Sequence, residues 1–218
     1  MDVTARGFLF DMDGTLVDST PVVEYVWGEF SARHGLEAAE VLDYAHGRPA
    51  PDTVAHFLPG HSSQERERIV EHLIHEEVTR TDGIVEIPGA VALVAALTDS
   101  GAPVALVTSA PRPLAVARMQ AAGVPLPSVV VTPADVERGK PAPDPYLLGA
   151  ERLGVPIADS VVFEDVEAGL RAGIASGART VVVGPYASPT TEGLTRFPDH
   201  RGVTVTADGD GVFRLRTP

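Results

Sequence analysis

The sequence predicts an α/β fold, a doubly wound parallel sheet with an α-helical block inserted after its first strand. Three observations predict it. Phe8-Leu9-Phe10 runs straight into Asp11 and is stopped by Gly14, the pattern of a short strand buried on both faces. From Ile87 onward, short apolar runs alternate with helical segments, the rhythm of parallel strands joined by right-handed helical crossovers. Between these regions, over residues 17–85, every segment reads as helix and none as a core strand.

Taken in order, residues 20–34 read as a helix, with Pro21 suited to the first turn and Gly35 to the end. Trp27, Phe30 and His34 recur at helical spacing, which places Trp27 in the core. Residues 38–45 make a second helix, His46-Gly47-Arg48-Pro49 a loop, and 51–57 a short third helix before Leu58-Pro59-Gly60 breaks the chain. Ser62 and Glu65 form a capping box. The helix they open carries Ile69, Val70, Leu73, Ile74 and Val78 as an apolar stripe and ends near Asp82-Gly83. Beyond Ile87-Pro88-Gly89, helices are expected at 89–100, 111–122, 144–153 and 166–176. Strands are expected at 104–107, 129–131, 161–163 and 180–183. In the tail, 203–205 and 212–215 flank Asp208-Gly209-Asp210-Gly211, which predicts a hairpin at the sheet edge. The domain reading is a core of residues 1–16 and 86–218 and a helical cap of 17–85, hinged at Val17-Asp18-Ser19 and at 83–88. Such a cap can close over the strand ends and exclude water.

Composition narrows the function. A chain of 218 residues, 44% hydrophobic and 22% charged, is ordinary for a globular protein with a full core. No run of about 18 apolar residues is present to span a membrane, and residues 1–7 are too short and polar for a signal peptide. The absence of cysteine excludes disulfides, thiolate metal sites and a thiol nucleophile, and fits the cytoplasm. A net charge of −13 argues against nucleic acid and against an anionic membrane surface. A monomer is expected.

Four polar groups fall at one edge of the predicted sheet: Asp11 with Asp13, Thr108 with Ser109, Lys140, and Glu164 with Asp165. Open α/β sheets build their ligand sites there. Singly, Thr108, Ser109, Glu164 and Asp165 read as helix caps and Lys140 as a solvated loop lysine. A carboxylate directly after a buried strand, as at Asp11, is costly unless paired or bound to metal. Together the groups form a coherent chemistry. Asp11, the carbonyl of Asp13 and Asp165 offer an all-oxygen site suited to Mg²⁺, with Glu164 as a further inner or outer oxygen. A hydroxyl at Thr108 or Ser109 and a helix N-terminus bind phosphate oxygens, and Lys140 balances the charge of phosphate and nucleophile. Asp11 can attack phosphorus to form an aspartyl-phosphate. Asp13 can protonate the leaving oxygen and then activate water.

Asp11-Met12-Asp13-Gly14-Thr15-Leu16-Val17-Asp18-Ser19 resembles the first motif of the haloacid dehalogenase-like phosphohydrolases. Leu106-Val107-Thr108-Ser109 resembles the second, 139–146 from Gly139-Lys140-Pro141 to Tyr146 the third, and 162–169 around Glu164-Asp165 the fourth. The resemblance implies a Rossmann-like core, a helical cap and Mg²⁺-dependent phosphoryl transfer. Asp11 would be the nucleophile, Asp13 the acid/base, and Thr108 or Ser109 with Lys140 the phosphate holders. A finer resemblance is to the sugar-phosphate and glycerol-phosphate phosphatases. It is carried by Val26-Trp27, Arg33-His34-Gly35-Leu36, Ala45-His46-Gly47-Arg48 with Asp52-Thr53, and Pro88-Gly89-Ala90. It puts His46 and Arg48 on the cap loop facing a small phosphorylated metabolite. Ala110, where glycine is usual, and Val166-Glu167, where a small residue and proline are common, depart from the pattern, and Glu167 adds negative charge close to the metal.

Two other readings stay open. A β-phosphoglucomutase-like phosphomutase shares the core motifs and the cap placement, but the His46-Gly47-Arg48 loop favours a phosphatase. A non-enzymatic phosphometabolite-binding protein on this scaffold is the other, since fold does not fix function. Against it, none of the four groups has been lost. A dehalogenase needs neither Asp13 nor the metal. A phosphonate hydrolase would want a cap lysine, and Lys140 is the one lysine in the chain.

Overall fold

In the computed structural model, which describes residues 2–217, the chain starts as β1 (Asp2–Ala5) and continues after Arg6 as β2 (Gly7–Phe10). A tight turn leads to β3 (Val17–Asp18), then to four helices, α1 (Thr20–His34), α2 (Ala38–Ala45), α3 (Ala50–Phe57) and α4 (Ser63–Thr79). The chain returns through β4 (Val85–Glu86), which pairs antiparallel with β3. The rest alternates: α5 (Ala90–Asp99), β5 (Val104–Val107), α6 (Arg112–Ala121), β6 (Val129–Val131), α7 (Asp144–Leu153), β7 (Ser160–Glu164), α8 (Glu167–Ser176), β8 (Arg179–Val183) and β9 (Thr195–Phe197). Six strands form one sheet in the order β6-β5-β2-β7-β8-β9, every pair parallel.

The pleat sorts the core into two layers. Phe8 and Phe10 of β2 face one layer, where Phe10 stacks on Phe163 at 4.6 Å. Leu9 faces the other, with Tyr146 and Ala150 of α7 and Ala172 of α8. Alternation along the strand produces this split. The helical signals act as read: Gly35 ends α1 in the left-handed region, and Ser62 with Glu65 closes a capping box on α4. The cap's apolar stripe is continuous with the core, and α4 rests on α6. Among the described residues, no helix is long and apolar enough to cross a membrane.

One expectation needs correcting. The tail hairpin forms from β10 (Thr204–Ala207) and β11 (Phe213–Arg216), but not at the edge of the parallel sheet. It joins β1 in a separate antiparallel sheet of order β1-β11-β10. The reason lies in β1 and β11, whose Val3, Ala5, Phe213 and Leu215 alternate with exposed or half-buried residues, so the small sheet buries one face and wets the other. The edge of the main sheet is taken by β9, whose three residues Thr195–Phe197 carry too little pattern to be read as a strand.

Candidate active site

The carboxyl ends of β2, β5 and β7 converge on a cavity of about 530 Å³ between core and cap. Asp11, Asp13, Thr108, Ser109 and Asp165 line it from the core, and Trp27, His46, Arg48 and Glu77 from the cap. A smaller cavity of about 200 Å³ lies between α1 and α4, away from these carboxylates.

Lys140 sits behind this surface, 5% exposed, and all three of its protons are used. Its Nζ donates to Asp11 Oδ1 at 2.5 Å, Glu164 Oε1 at 2.6 Å and the Val107 carbonyl at 2.9 Å. The same Glu164 oxygen accepts the Tyr146 hydroxyl at 2.6 Å, and Glu164 Oε2 accepts the Asp165 amide at 3.1 Å. Glu164 is thus fixed from both ends. The N-cap of α8 is Val166 and that of α6 is Pro111, neither with a side-chain cap bond. The capping readings of Glu164, Asp165, Thr108 and Ser109 therefore fall away for these helices. Thr108 Oγ1 accepts the Ala110 amide at 3.0 Å, a local turn that leaves its proton for another partner.

One carboxylate oxygen from each of Asp11, Glu164 and Asp165 lies within 4.8 Å of the others. Three acids share a single ammonium. Burial first, then repulsion from Glu164, pushes the Asp11 carboxyl up to about 7 against the pull of Lys140. Burial and repulsion from Asp11 and Glu164 push Asp165 up as well. Burial alone would lower Lys140, but Asp11 and Glu164 more than offset it, and its charge is held. A hard cation among these oxygens relieves the excess negative charge, and the donor set, oxygen alone, fits one.

Asp13 belongs to a different arrangement. Its Oδ1 accepts the Ser19 hydroxyl at 2.6 Å and its Oδ2 accepts Arg118 Nη1 at 2.8 Å. Arg118 Nη2 lies 3.2 Å from Glu77 Oε1 of α4, within ion-pair range but out of hydrogen-bond alignment. Arg118, Glu77 and the hydroxyl of Tyr146 are site groups that motif reading missed. A signal existed for two of them: Glu77 continues the stripe Val70, Leu73 and Ile74, and Arg118 continues Leu114 and Ala115. A charge on a buried stripe calls for a partner.

The cap loop is a second place where the two halves touch, besides α4 on α6. Ser109 Oγ donates to the Gly47 carbonyl at 3.1 Å. Gly47 has a φ of +73°, and a Cβ there would strike Val166, so glycine serves both the turn and the close approach. Val166, one of the two departures in the fourth motif, therefore meets the cap. The other, Glu167, is tied to the loop after β8, accepting from Thr190 at 2.6 Å, Ser188 at 2.8 Å and Tyr186 at 3.2 Å. Those bonds hold its carboxyl below the ordinary range, and they steady Tyr186 at the cavity wall. His46 and Arg48 are both exposed at the cavity mouth; Arg48 stacks over Tyr44 at 4.2 Å and donates to the Tyr44 carbonyl at 2.6 Å.

A family model described as haloacid dehalogenase-like hydrolase matches residues 5–177. Hexitol phosphatase A of Escherichia coli (strain K12) is 47% identical over 178 residues, which cover 82% of this chain and 82% of its own length. Glycerol-1-phosphate phosphohydrolase 2 of Saccharomyces cerevisiae is 35% identical over 190 residues, covering 83% of this chain and 75% of its own. A solved hydrolase from Pseudomonas syringae shares the fold with a TM-score of 0.76 at 26% identity, covering 87% of this chain and 91% of that one. The matched span contains all four strand-end groups, and the chain belongs to the haloacid dehalogenase-like hydrolase family.

Proposed function

We propose that this chain is a Mg²⁺-dependent phosphatase that hydrolyses a small sugar or polyol phosphate through an aspartyl-phosphate on Asp11. One observation carries the reading: Asp11 lies at the cavity floor with Lys140 on one oxygen, while the neighbouring Asp13 carboxylate is held apart by Ser19 and Arg118. Two adjacent acids thus have separate surroundings, which suits separate roles.

Asp11 attacks phosphorus, and the P–O bond to the leaving alcohol breaks as Asp13 gives that oxygen a proton. Asp13, now a carboxylate, takes a proton from water, which attacks the aspartyl-phosphate and returns Asp11 with release of phosphate. Lys140 orients Asp11 for attack and favours its ionised form against the burial and the Glu164 charge that push it up. Thr108 and Ser109 are assigned the phosphate oxygens, with Lys140, whose three protons are engaged by Asp11, Glu164 and Val107, acting on them through its charge; His46 and Arg48 are assigned the alcohol part of the substrate. Asp11, Asp165, Glu164 and the Asp13 carbonyl would hold Mg²⁺, which when bound offsets the charge gathered around the phosphoryl group. The names of the two enzymes above, a hexitol phosphatase and a glycerol-1-phosphate phosphohydrolase, support a polyol phosphate as substrate.

The test is phosphate release in Mg²⁺ over hexitol, fructose and glycerol phosphates, 2-deoxyglucose 6-phosphate and β-glucose 1-phosphate. Release is expected with at least one of the sugar or polyol esters, with loss in EDTA, recovery on adding Mg²⁺, and loss in Asp11→Asn at unchanged melting temperature. Equal hydrolysis by Asp11→Asn refutes the catalytic reading. Activity that needs a sugar bisphosphate primer and frees little phosphate replaces it with a phosphomutase.

A further inference from the structure

The contact between Arg118 and Glu77 joins two parts of the chain that have no covalent reason to meet. Arg118 belongs to α6 of the core and Glu77 to α4 of the cap, and they are 4% and 5% exposed. Removing a guanidinium and a carboxylate from water costs several kcal/mol each. A pair of apolar side chains would pack a core–cap seam at least as well, so stability alone is a poor reason for these charges. What distinguishes the pair is its third member. The other end of the Arg118 guanidinium is bonded to Asp13, whose remaining oxygen is bonded to Ser19 at the start of the cap segment. Both oxygens of Asp13 are therefore held from the seam.

The alignment of the contacts is also unequal. Arg118 bonds Asp13 at 2.8 Å, but towards Glu77 it has ion-pair proximity without an aligned hydrogen bond, and its Nε has no partner. The guanidinium is thus held more tightly on its Asp13 side than on its Glu77 side. Any motion of α4 relative to α6 alters the Glu77 contact, and through one rigid planar group it alters how Asp13 is held.

We propose that Arg118 is the positioning residue of the acid/base carboxylate, and that Glu77 couples that carboxylate to the position of the cap. The inference rests on Asp13 acting as acid/base. In this arrangement the cap, in settling over a substrate, aims the group that protonates the leaving oxygen.

The readout is the leaving group. A p-nitrophenolate departs without a proton, whereas an alkoxide does not, so faulty aim of Asp13 penalises glycerol phosphate and spares p-nitrophenyl phosphate. The two are compared as kcat/KM, which covers binding through departure of the leaving group. Misplacing a catalytic group by about 1 Å costs on the order of 100-fold. Arg118→Met is accordingly expected to lose about 100-fold on glycerol phosphate and less than about 10-fold on p-nitrophenyl phosphate. Glu77→Gln should show the same selectivity with a smaller loss. If Arg118→Met does not fold, Arg118→Met with Glu77→Met removes both charges together and should show the selectivity.

Asp13→Asn separates the two failures. If Asp13→Asn loses both substrates equally, the acid/base reading falls. If Asp13→Asn is selective while the Arg118 variant that folds loses both equally, the positioning role of Arg118 falls and the acid/base reading stands. If Glu77→Gln keeps the wild-type ratio, the coupling to the cap falls.

Discussion

Tyr146→Phe deletes one oxygen from the site and little else. The ring stays, including its face 5.0 Å from Lys140 Nζ. The lost group is a fully buried hydroxyl donating to Glu164 Oε1 at 2.6 Å. Burial and then the charge of Glu164 push the phenol well above its ordinary range, so it is a proton donor at every working pH. A hydrogen bond to a charged acceptor contributes about 1.5–3 kcal/mol. Glu164 keeps Lys140 on the same oxygen and the Asp165 amide on the other, so the lower part of that range applies, about 1.5–2 kcal/mol. For a chain of this size each kcal/mol moves the melting temperature by about 2–4 °C, which gives a fall of about 3–8 °C. Thermal denaturation followed by circular dichroism without added metal measures it. A double-mutant cycle with Glu164→Gln isolates the pair, and the loss should shrink in the Gln background. A melting temperature within about 1 °C of wild type, or strict additivity in the cycle, refutes the assigned bond.

Gly169→Ala should place its Cβ on the Glu164 carboxylate; the gain in helix propensity, about 1 kcal/mol, is outweighed by overpacking of about 1–3 kcal/mol and by displacement of Glu164 from Lys140, read as a lower melting temperature and slower phosphate release. Asp13→Asn and Asp165→Asn should both lose turnover, yet Mg²⁺ titration calorimetry should find binding retained in the first and lost in the second, since Asp13 is assigned only its carbonyl; equal loss would contradict that division. His200, nine-tenths or more buried with Nε2 2.7 Å from the Thr15 carbonyl, is held below its ordinary value of 6.5 by burial. Above that pH it is neutral folded and unfolded; below it the unfolded chain takes up a proton the folded one resists, so stability falls as pH drops. Melting temperatures across about pH 5–8 should show the decline in wild type and less of it in His200→Gln.

Much of this architecture is legible in the sequence because burial on both faces leaves a continuous apolar trace. Val104–Val107 and Gly7–Phe10 are fully buried strands and read as such. Asp2–Ala5 is not legible, because four alternating residues fit a loop as well as a strand whose partner lies at the far end of the chain. Of the four groups, Asp11, Thr108 and Glu164 declare themselves by position, each polar residue following an apolar run, whereas Lys140 stands in a polar loop. Arg118 and Glu77 are fainter: each continues an apolar stripe, but a lone charge on an amphipathic helix is usually solvated, and what buries these two is the meeting of α6 with α4. Lys140 is legible as a residue but not in its surroundings: its complete engagement by Asp11, Glu164 and Val107 depends on three separate strand ends.

The pairing of β3 with β4 means that the chain departs for the cap and comes back at neighbouring points, Val17 beside Glu86 and Asp18 beside Val85. Whatever lies between must only begin and end a strand spacing apart. Doubling the length of such an excursion costs about 0.6 kcal/mol in chain entropy, so closure of its ends sets little limit on the length of residues 19–84. A grafted cap of different size should leave the parallel sheet folded and bring its own substrate range. To serve the same reaction it would also need to present a carboxylate to Arg118, and that requirement is what separates a transplant that works from one that merely fits.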